Sequence, residues 1–357
     1  MNFKEIREFL ALAYANKFID DEEFLLLYDA HFSKNLELPY KEYGKFDLQT
    51  IEDDECIAEF RFAKQDIPFL VQTLGIPDYM WCYQGTRFSG IEGICLLLRR
   101  LAYPCRYSDL IPRFGRAEPE ISMITKKMTD FVFDEHSHRV LQWNHFLLSP
   151  PKLQGYADAI SERGAALDNC FGFIDGTVRP ICKPATHQRV VYNGHKRIHA
   201  LKFQAVALPN GMIANLYGPV EGKKHDSGML ADSRLLDMLQ QHAFSPAGSP
   251  MCIYGDPAYP LQVHLQAPFR ITVPNQDMED FNKSMSAVRI SVEWLFGDIA
   301  STYKFIDYKK NLKVALSSVG KMYIVAAILR NALTCLYGNS TSSFFDLSPP
   351  SLQEYFS

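Results

Sequence analysis

The chain has 357 residues, 47% of them hydrophobic and 22% charged, with a formal net charge of −4. That is an ordinary globular composition, long enough for one large domain or two, with no internal repeat and no long low-complexity segment. The charge is uneven: residues 1–85 carry a net −9 and residues 86–357 a net +5, so the larger part suits a polyanionic partner. None of the eight cysteines forms a C-x-x-C pair, which argues against a zinc ribbon. Their scattered apolar settings suit buried, reduced thiols in an intracellular protein. The opening "MNFKEIREFLALAY" is too charged for a signal peptide. The apolar run "MYIVAAIL", between Lys321 and Arg330, is shorter than a membrane span needs.

Taken in chain order, residues 3–33 read as helical, with Ile6, Phe9, Leu10 and Ala13 on one face. Residues 37–58 are polar and irregular and hold the acidic cluster "EDDE" at 52–55; they read as a linker or loose arm. A helical module follows. Residues 88–103 form a helix ended by Pro104, and 106–115 a short helix broken near Pro112 and closed by Gly115. Residues 117–136 form a third helix, with Pro119 early, where a missing N–H does no harm. Its inner face holds Ile121, Ile124, Met128 and Phe131; Ser122, Thr125, Lys126 and Thr129 point outward. Small polar and basic residues on that outer face suggest a helix-turn-helix. A plain helical bundle with a solvated face reads equally well.

From residue 170 the pattern changes. Strands are expected at 170–175, 199–209 and 212–218, with Asn210–Gly211 as a hairpin turn between the last two. A helix at 227–242 follows, then strands at 251–256 and 269–274, and helices at 280–301 and 312–337. This is an α/β architecture with helices covering a sheet.

Three acids stand out. Asp175 is expected at the end of the first strand and Asp256 at the end of the strand after the first helix. Glu293 lies about 100° from Val292 on the long helix, at the edge of its buried stripe. Taken singly, each has a plainer reading: Asp-Gly and "GDPAYP" are common turns, and a helical Glu is usually solvated. Together they form the arrangement of the RNase H-like fold. Carboxylates from separate elements can bind Mg²⁺ or Mn²⁺, and two ions about 4 Å apart can activate water for phosphodiester cleavage.

The stretches "FGFIDGTVRPICKP", "YNGHKRIHALKFQAVALPNGMIANLYGPVEGKKHDSGMLADS", "YGDPAYPLQVHLQAPFR" and "MSAVRISVEWLFGDI" carry a more specific likeness. Over roughly 170–335 the chain resembles the DDE endonuclease domain of the PIF/Harbinger transposase superfamily, including Harbinger transposase-derived nucleases. The module at about 59–145 resembles the helical region preceding the nuclease in those proteins. The resemblance implies an RNase H-like (DDE) nuclease domain behind an all-α, helix-turn-helix-like module. It implies Asp175, Asp256 and Glu293 as the catalytic, metal-binding triad, with Glu293 closing an R-x-x-V-E pattern that starts at Arg289. In "GKKHDS", Asp226 is either a fourth metal-proximal acid or a helix N-cap. Val178–Arg179 follows "IDGT" where family members often carry a His, a departure that bears on local substrate contacts.

Candidate DNA contacts are Arg179, Lys183, Arg189, Lys196 and Arg197, then Lys223 and Lys224, and in the helical module Ser122, Thr125 and Lys126. A solvated loop is the plainer account of the basic stretch from Arg179 to His199. The expected divisions are an acidic arm and linker (1–58), a DNA-binding helical module (59–150), the nuclease domain (151–340) and a C-terminal tail (341–357). The function expected is metal-dependent DNA endonuclease or transposase-type chemistry by two metal ions, with strand transfer if the element is mobile. The alternative is a domesticated, non-cutting DNA-binding or scaffold protein that keeps the fold. The resemblance also implies a separate Myb/SANT-like DNA-binding partner, a homo-oligomer on DNA and nuclear import through a partner. No role at a membrane is expected.

Overall fold

The computed structural model describes residues 3–31, 38–270, 275–314 and 316–357. The chain divides into two units: residues 1–46 with 106–121, and residues 47–105 with 122–357.

The smaller unit holds the helices Phe3–Ala15 and Asp21–Ala30. The second begins at a capping box, in which Asp20 accepts from the Glu23 N–H and the Glu23 carboxylate accepts from the Asp20 N–H. The single helix expected over 3–33 is therefore two, separated by a turn with Lys17 at φ 60°. The short segment Ile111–Phe114 is opened by Pro112 rather than broken by it, since proline fits the first helical turn. Gly115 ends it at φ 58°, where a Cβ would meet the Gly44 carbonyl oxygen at 2.3 Å.

In the larger unit, "EDDE" is no loose arm. It opens the helix Asp53–Phe60, whose first turn carries Asp53, Asp54 and Glu55, where acids favour the helix dipole. Cys56 and Phe60 on the same helix are fully buried. A two-stranded antiparallel pair, 79–81 with 87–89, precedes the helix Gly90–Ala102. The sequence reading of an all-helical module missed that pair. Helix Gly90–Ala102 belongs to the larger unit and Ile111–Phe114 to the smaller. The helix Glu118–His136 buries Ile121, Ile124, Thr125, Met128, Thr129 and Val132. Thr125 and Thr129 were expected to face outward. They extend the apolar stripe by one position each, and the Thr129 hydroxyl is satisfied by donating to the Thr125 carbonyl at 2.8 Å.

The centre of the larger unit is a six-stranded sheet whose main strands are β1 Cys170–Pro180, β2 Ile198–Ala207, β3 Ile213–Glu221, β4 Cys252–Tyr254 and β5 Leu265–Gln266. Their spatial order is β3-β2-β1-β4-β5. The first three run antiparallel to their neighbours, and β4 and β5 extend the sheet in parallel. A short strand, Tyr192–Asn193, also pairs with the start of β2. "CFGFI" at the head of β1 is buried at every position, as a central strand covered on both faces must be. Asn210–Gly211 turns β2 into β3 as expected, with Gly211 at φ 82°.

Three expectations shift in this region. The helix expected over 227–242 is two, Asp226–Ser233 and Leu235–His242, because Arg234 takes a left-handed conformation at φ 52°. The strand expected over 269–274 falls outside the described residues from 271 onward, and β5 lies earlier at 265–266. The helix expected from 312 starts at Val319, after two short 3₁₀ turns.

Side-chain alternation sorts the covering helices. Lys202, Gln204 and Val206 of β2 meet the side of Asp226–His242. Phe203 stacks on Tyr323 of the helix Val319–Tyr337, with ring centroids 4.2 Å apart. That helix is long and apolar enough to cross a membrane by composition alone, but most of it is buried within this fold. Fully buried Asn331 ties it to the sheet. Its Nδ2 donates to the Ile213 carbonyl (3.0 Å) and to the Tyr355 hydroxyl oxygen (2.8 Å), while Oδ1 accepts from the Ile213 N–H (2.9 Å). Residues 341–357 hold the helix Leu352–Phe356, with Tyr355 and Phe356 buried. The Arg139 guanidinium donates to the carbonyls of Tyr355, Phe356 and Ser357.

Candidate active site

The parallel pairing of β1 and β4 ends at the rung Phe173–Tyr254. Asp175 and Asp256 each lie two residues beyond that rung, so the register brings both acids to the same place at neighbouring strands. Asp175 does not end its strand, as expected from sequence. β1 continues to Pro180, paired with β2 alone, and only the parallel ladder ends at the acids. Asp256 sits in a tight turn after β4. Its Oδ1 accepts from the Ala258 N–H (3.0 Å) and its carbonyl from the Tyr259 N–H (3.1 Å).

Gly255, between β4 and Asp256, has no room for a side chain. A Cβ there would lie 2.6 Å from the Tyr259 ring and 2.9 Å from Ile174. Gly255→Ala should therefore cost about 1–3 kcal/mol by overpacking, read as a lower midpoint in urea. A midpoint equal to the parent's would show that Tyr259 yields freely.

Asp175 lies half-buried against the helix Gln276–Thr302. Its Oδ2 is 3.3 Å from Arg289 Nη2, and its Oδ1 accepts from the Gly176 N–H at 2.8 Å. Burial pushes the Asp175 carboxyl above its ordinary pKa. The Arg289 charge and the Gly176 N–H pull the other way, while the charges of Asp256 and Asp226 add to the rise. Buried Tyr259 is held in its neutral phenol form by burial first, then by Asp226, Asp175 and Asp256 together. All three aspartates therefore lie within electrostatic reach of the Tyr259 ring.

Asp226 approaches from the other face of β1. Gly176 makes this possible, because a Cβ there would fall 2.6 Å from Asp226 Oδ1. Asp226 is the first residue of its helix rather than its N-cap, which is His225. Its carboxylate pairs with buried Lys202 at 2.7 Å, and Lys202 also donates to the Lys224 carbonyl at 2.9 Å. Lys202 was not singled out from sequence; an isolated lysine inside an apolar strand is the signal that marks it.

Glu293 is exposed, one helical turn beyond Arg289 on the same side of the helix. Arg289, not Glu293, reaches Asp175. Among the described residues, no group of three His, Cys, Asp or Glu is gathered closely enough to hold a metal ion.

The basic candidates separate into two sets. Lys183, Arg189, Lys196, Arg197 and Lys223 are exposed. Asn193 holds the tip that carries Lys196 and Arg197: its Oδ1 accepts from the Lys196 N–H (2.8 Å) and its Nδ2 donates to the Gly222 carbonyl (2.7 Å). Lys126 is exposed and Ser122 half-buried, but Thr125 is buried and has no access to DNA. Arg179 is also buried. It pairs with Asp307 at 3.6 Å, donates to the Phe296 carbonyl and lies over the Tyr323 ring, so it holds the sheet to the helices and is not a phosphate contact. Lys224 is paired with Asp232.

Residues 174–331 match the DDE superfamily endonuclease family. The matched endonuclease segment contains Asp175, Asp226, Asp256, Arg289 and Glu293, and it covers somewhat less than half of the chain. No curated protein and no solved structure matches the chain. The endonuclease match supports nuclease or transposase-type chemistry with DNA as the substrate.

Proposed function

We propose that the chain is a divalent-metal-dependent DNA endonuclease of the PIF/Harbinger transposase type, with an RNase H-like domain. The observation that carries this reading is the parallel register that sets Asp175 beside Asp256. The strand order β3-β2-β1-β4-β5, with three antiparallel strands and two parallel ones, supports the RNase H-like assignment. The donor chemistry fits a hard cation: the half-buried Asp175 carboxylate is repelled by the charge of Asp256, and Mg²⁺ needs only one or two carboxylates besides water and phosphate oxygens.

Asp175 and Asp256 would hold the ion or ions, and Glu293 would complete the set from its helix. The bound metal would supply Lewis-acid activation of water and charge neutralisation at the phosphorus. The protein's own share is positional. The sheet fixes both aspartates, and Tyr259 and Ile174 pack the turn behind Asp256. In this reading the exposed Lys196–Arg197 tip and Lys223 grip the DNA backbone.

Purified protein with Mg²⁺ or Mn²⁺ should nick duplex DNA, and a chelator should stop it. Folded protein that cuts DNA with neither ion would remove this reading. The double variant Lys196→Ala, Arg197→Ala should lower the slope of log K against log salt by about 2, since each phosphate contact contributes about 0.9. An unchanged slope would place the DNA elsewhere.

A further inference from the structure

Arg289 is poorly accounted for as a structural arginine. A guanidinium held for stability normally engages its carboxylate with two parallel hydrogen bonds. Here a single contact at 3.3 Å joins Nη2 to Asp175 Oδ2, and the buried Nε has no hydrogen-bond partner. Both side chains are largely shielded, at 20% and 19% exposed. The guanidinium is thus a positive charge brought to the carboxylates without the geometry that would lock it there.

Its surroundings explain why a charge is needed. Asp226 is neutralised by Lys202, but Asp175 still faces the charge of Asp256, so without a nearby cation its carboxylate would meet like charge. Arg289 also acts electrostatically on Tyr254 and Tyr259. Glu293, one turn further along, is exposed.

We propose that the Arg289 guanidinium stands in for a divalent cation at Asp175, neutralising the carboxylate in the metal-free protein and leaving Oδ2 when a metal ion binds. The proposal rests on the metal-dependent reading above. Arg289 is a positioning residue in this scheme. It touches neither substrate nor metal in the loaded state, and it sets the metal concentration at which the site fills.

The test is Mn²⁺ binding by titration calorimetry, without DNA, for the parent, Arg289→Gln, Arg289→Lys and Asp175→Asn. Removing a competing charge should tighten Mn²⁺ binding by about tenfold or more in Arg289→Gln. Arg289→Lys, which keeps the charge, should return affinity towards the parent's, and Asp175→Asn should lose the site. Metal-free Arg289→Gln should also melt lower than the parent yet gain more from added Mn²⁺. A merely structural arginine would leave affinity equal or weaker when removed, and that result in folded Arg289→Gln overturns the proposal. Should Arg289→Gln fail to fold, Arg289→Met is read by the same criteria. Equal binding by parent and variant sinks the stand-in role alone. No binding by any of them sinks the metal-dependent reading as well.

Discussion

Asp175→Asn and Asp256→Asn should each reduce metal-dependent nicking by about a thousandfold or more, the scale on which loss of one well-placed electrostatic element lowers turnover. The reason is geometric. The two acids follow one rung of the sheet, each two residues beyond it. Nicking that survives either substitution would separate the chemistry from this site.

The same Asp175→Asn change should leave the protein at least as stable as the parent at neutral pH. The carboxyl pKa is raised in the folded state, chiefly by burial. A raised acid pKa means that ionisation disfavours the fold. The penalty is absent below the unfolded value of 3.8, develops as pH rises through the folded value, and is constant above it. Asparagine resembles the neutral acid and escapes that penalty. The stability gain over the parent should therefore be greatest above the folded pKa and vanish as pH falls towards 3.8. A loss of stability at pH 7 would show that the Arg289 contact outweighs the cost of burial.

Asn331→Leu should have the largest effect on stability. The leucine would leave the Ile213 N–H and carbonyl and the Tyr355 hydroxyl buried without their partner. Each such group costs about 1–3 kcal/mol, so a loss of about 3–5 kcal/mol is expected, read as a fall of about 10 °C in melting temperature. A change of less than about 1 kcal/mol would mean that water or repacking replaces all three bonds.

The sheet half of the fold was readable because its signals are local. "CFGFI" announces a central strand, Asn210–Gly211 announces a hairpin, and the long helices are periodic. The aspartates were readable as a pair because each follows an apolar run. What escaped depends on contacts between distant residues. β5 is two residues long and exists only through its pairing with β4. Arg234 carries no local mark of a helix break. Thr125 and Thr129 look polar, but one helical turn of geometry places them beside the apolar stripe. Arg179 sits among exposed basic residues in sequence, yet the strand it belongs to turns it inward to Asp307 and Tyr323. Lys202 and Arg289 acquire their roles only once Asp226 and Asp175 are placed beside them.

The shared rung at Phe173–Tyr254 also divides the chain by its tolerance to changes in length. One residue added or removed between that rung and Asp175 would turn its carboxylate to the other face of β1, so this short span is fixed in length as well as in composition. The segment 183–191, between β1 and the short strand Tyr192–Asn193, lies outside the paired stretches and can change length without shifting that rung.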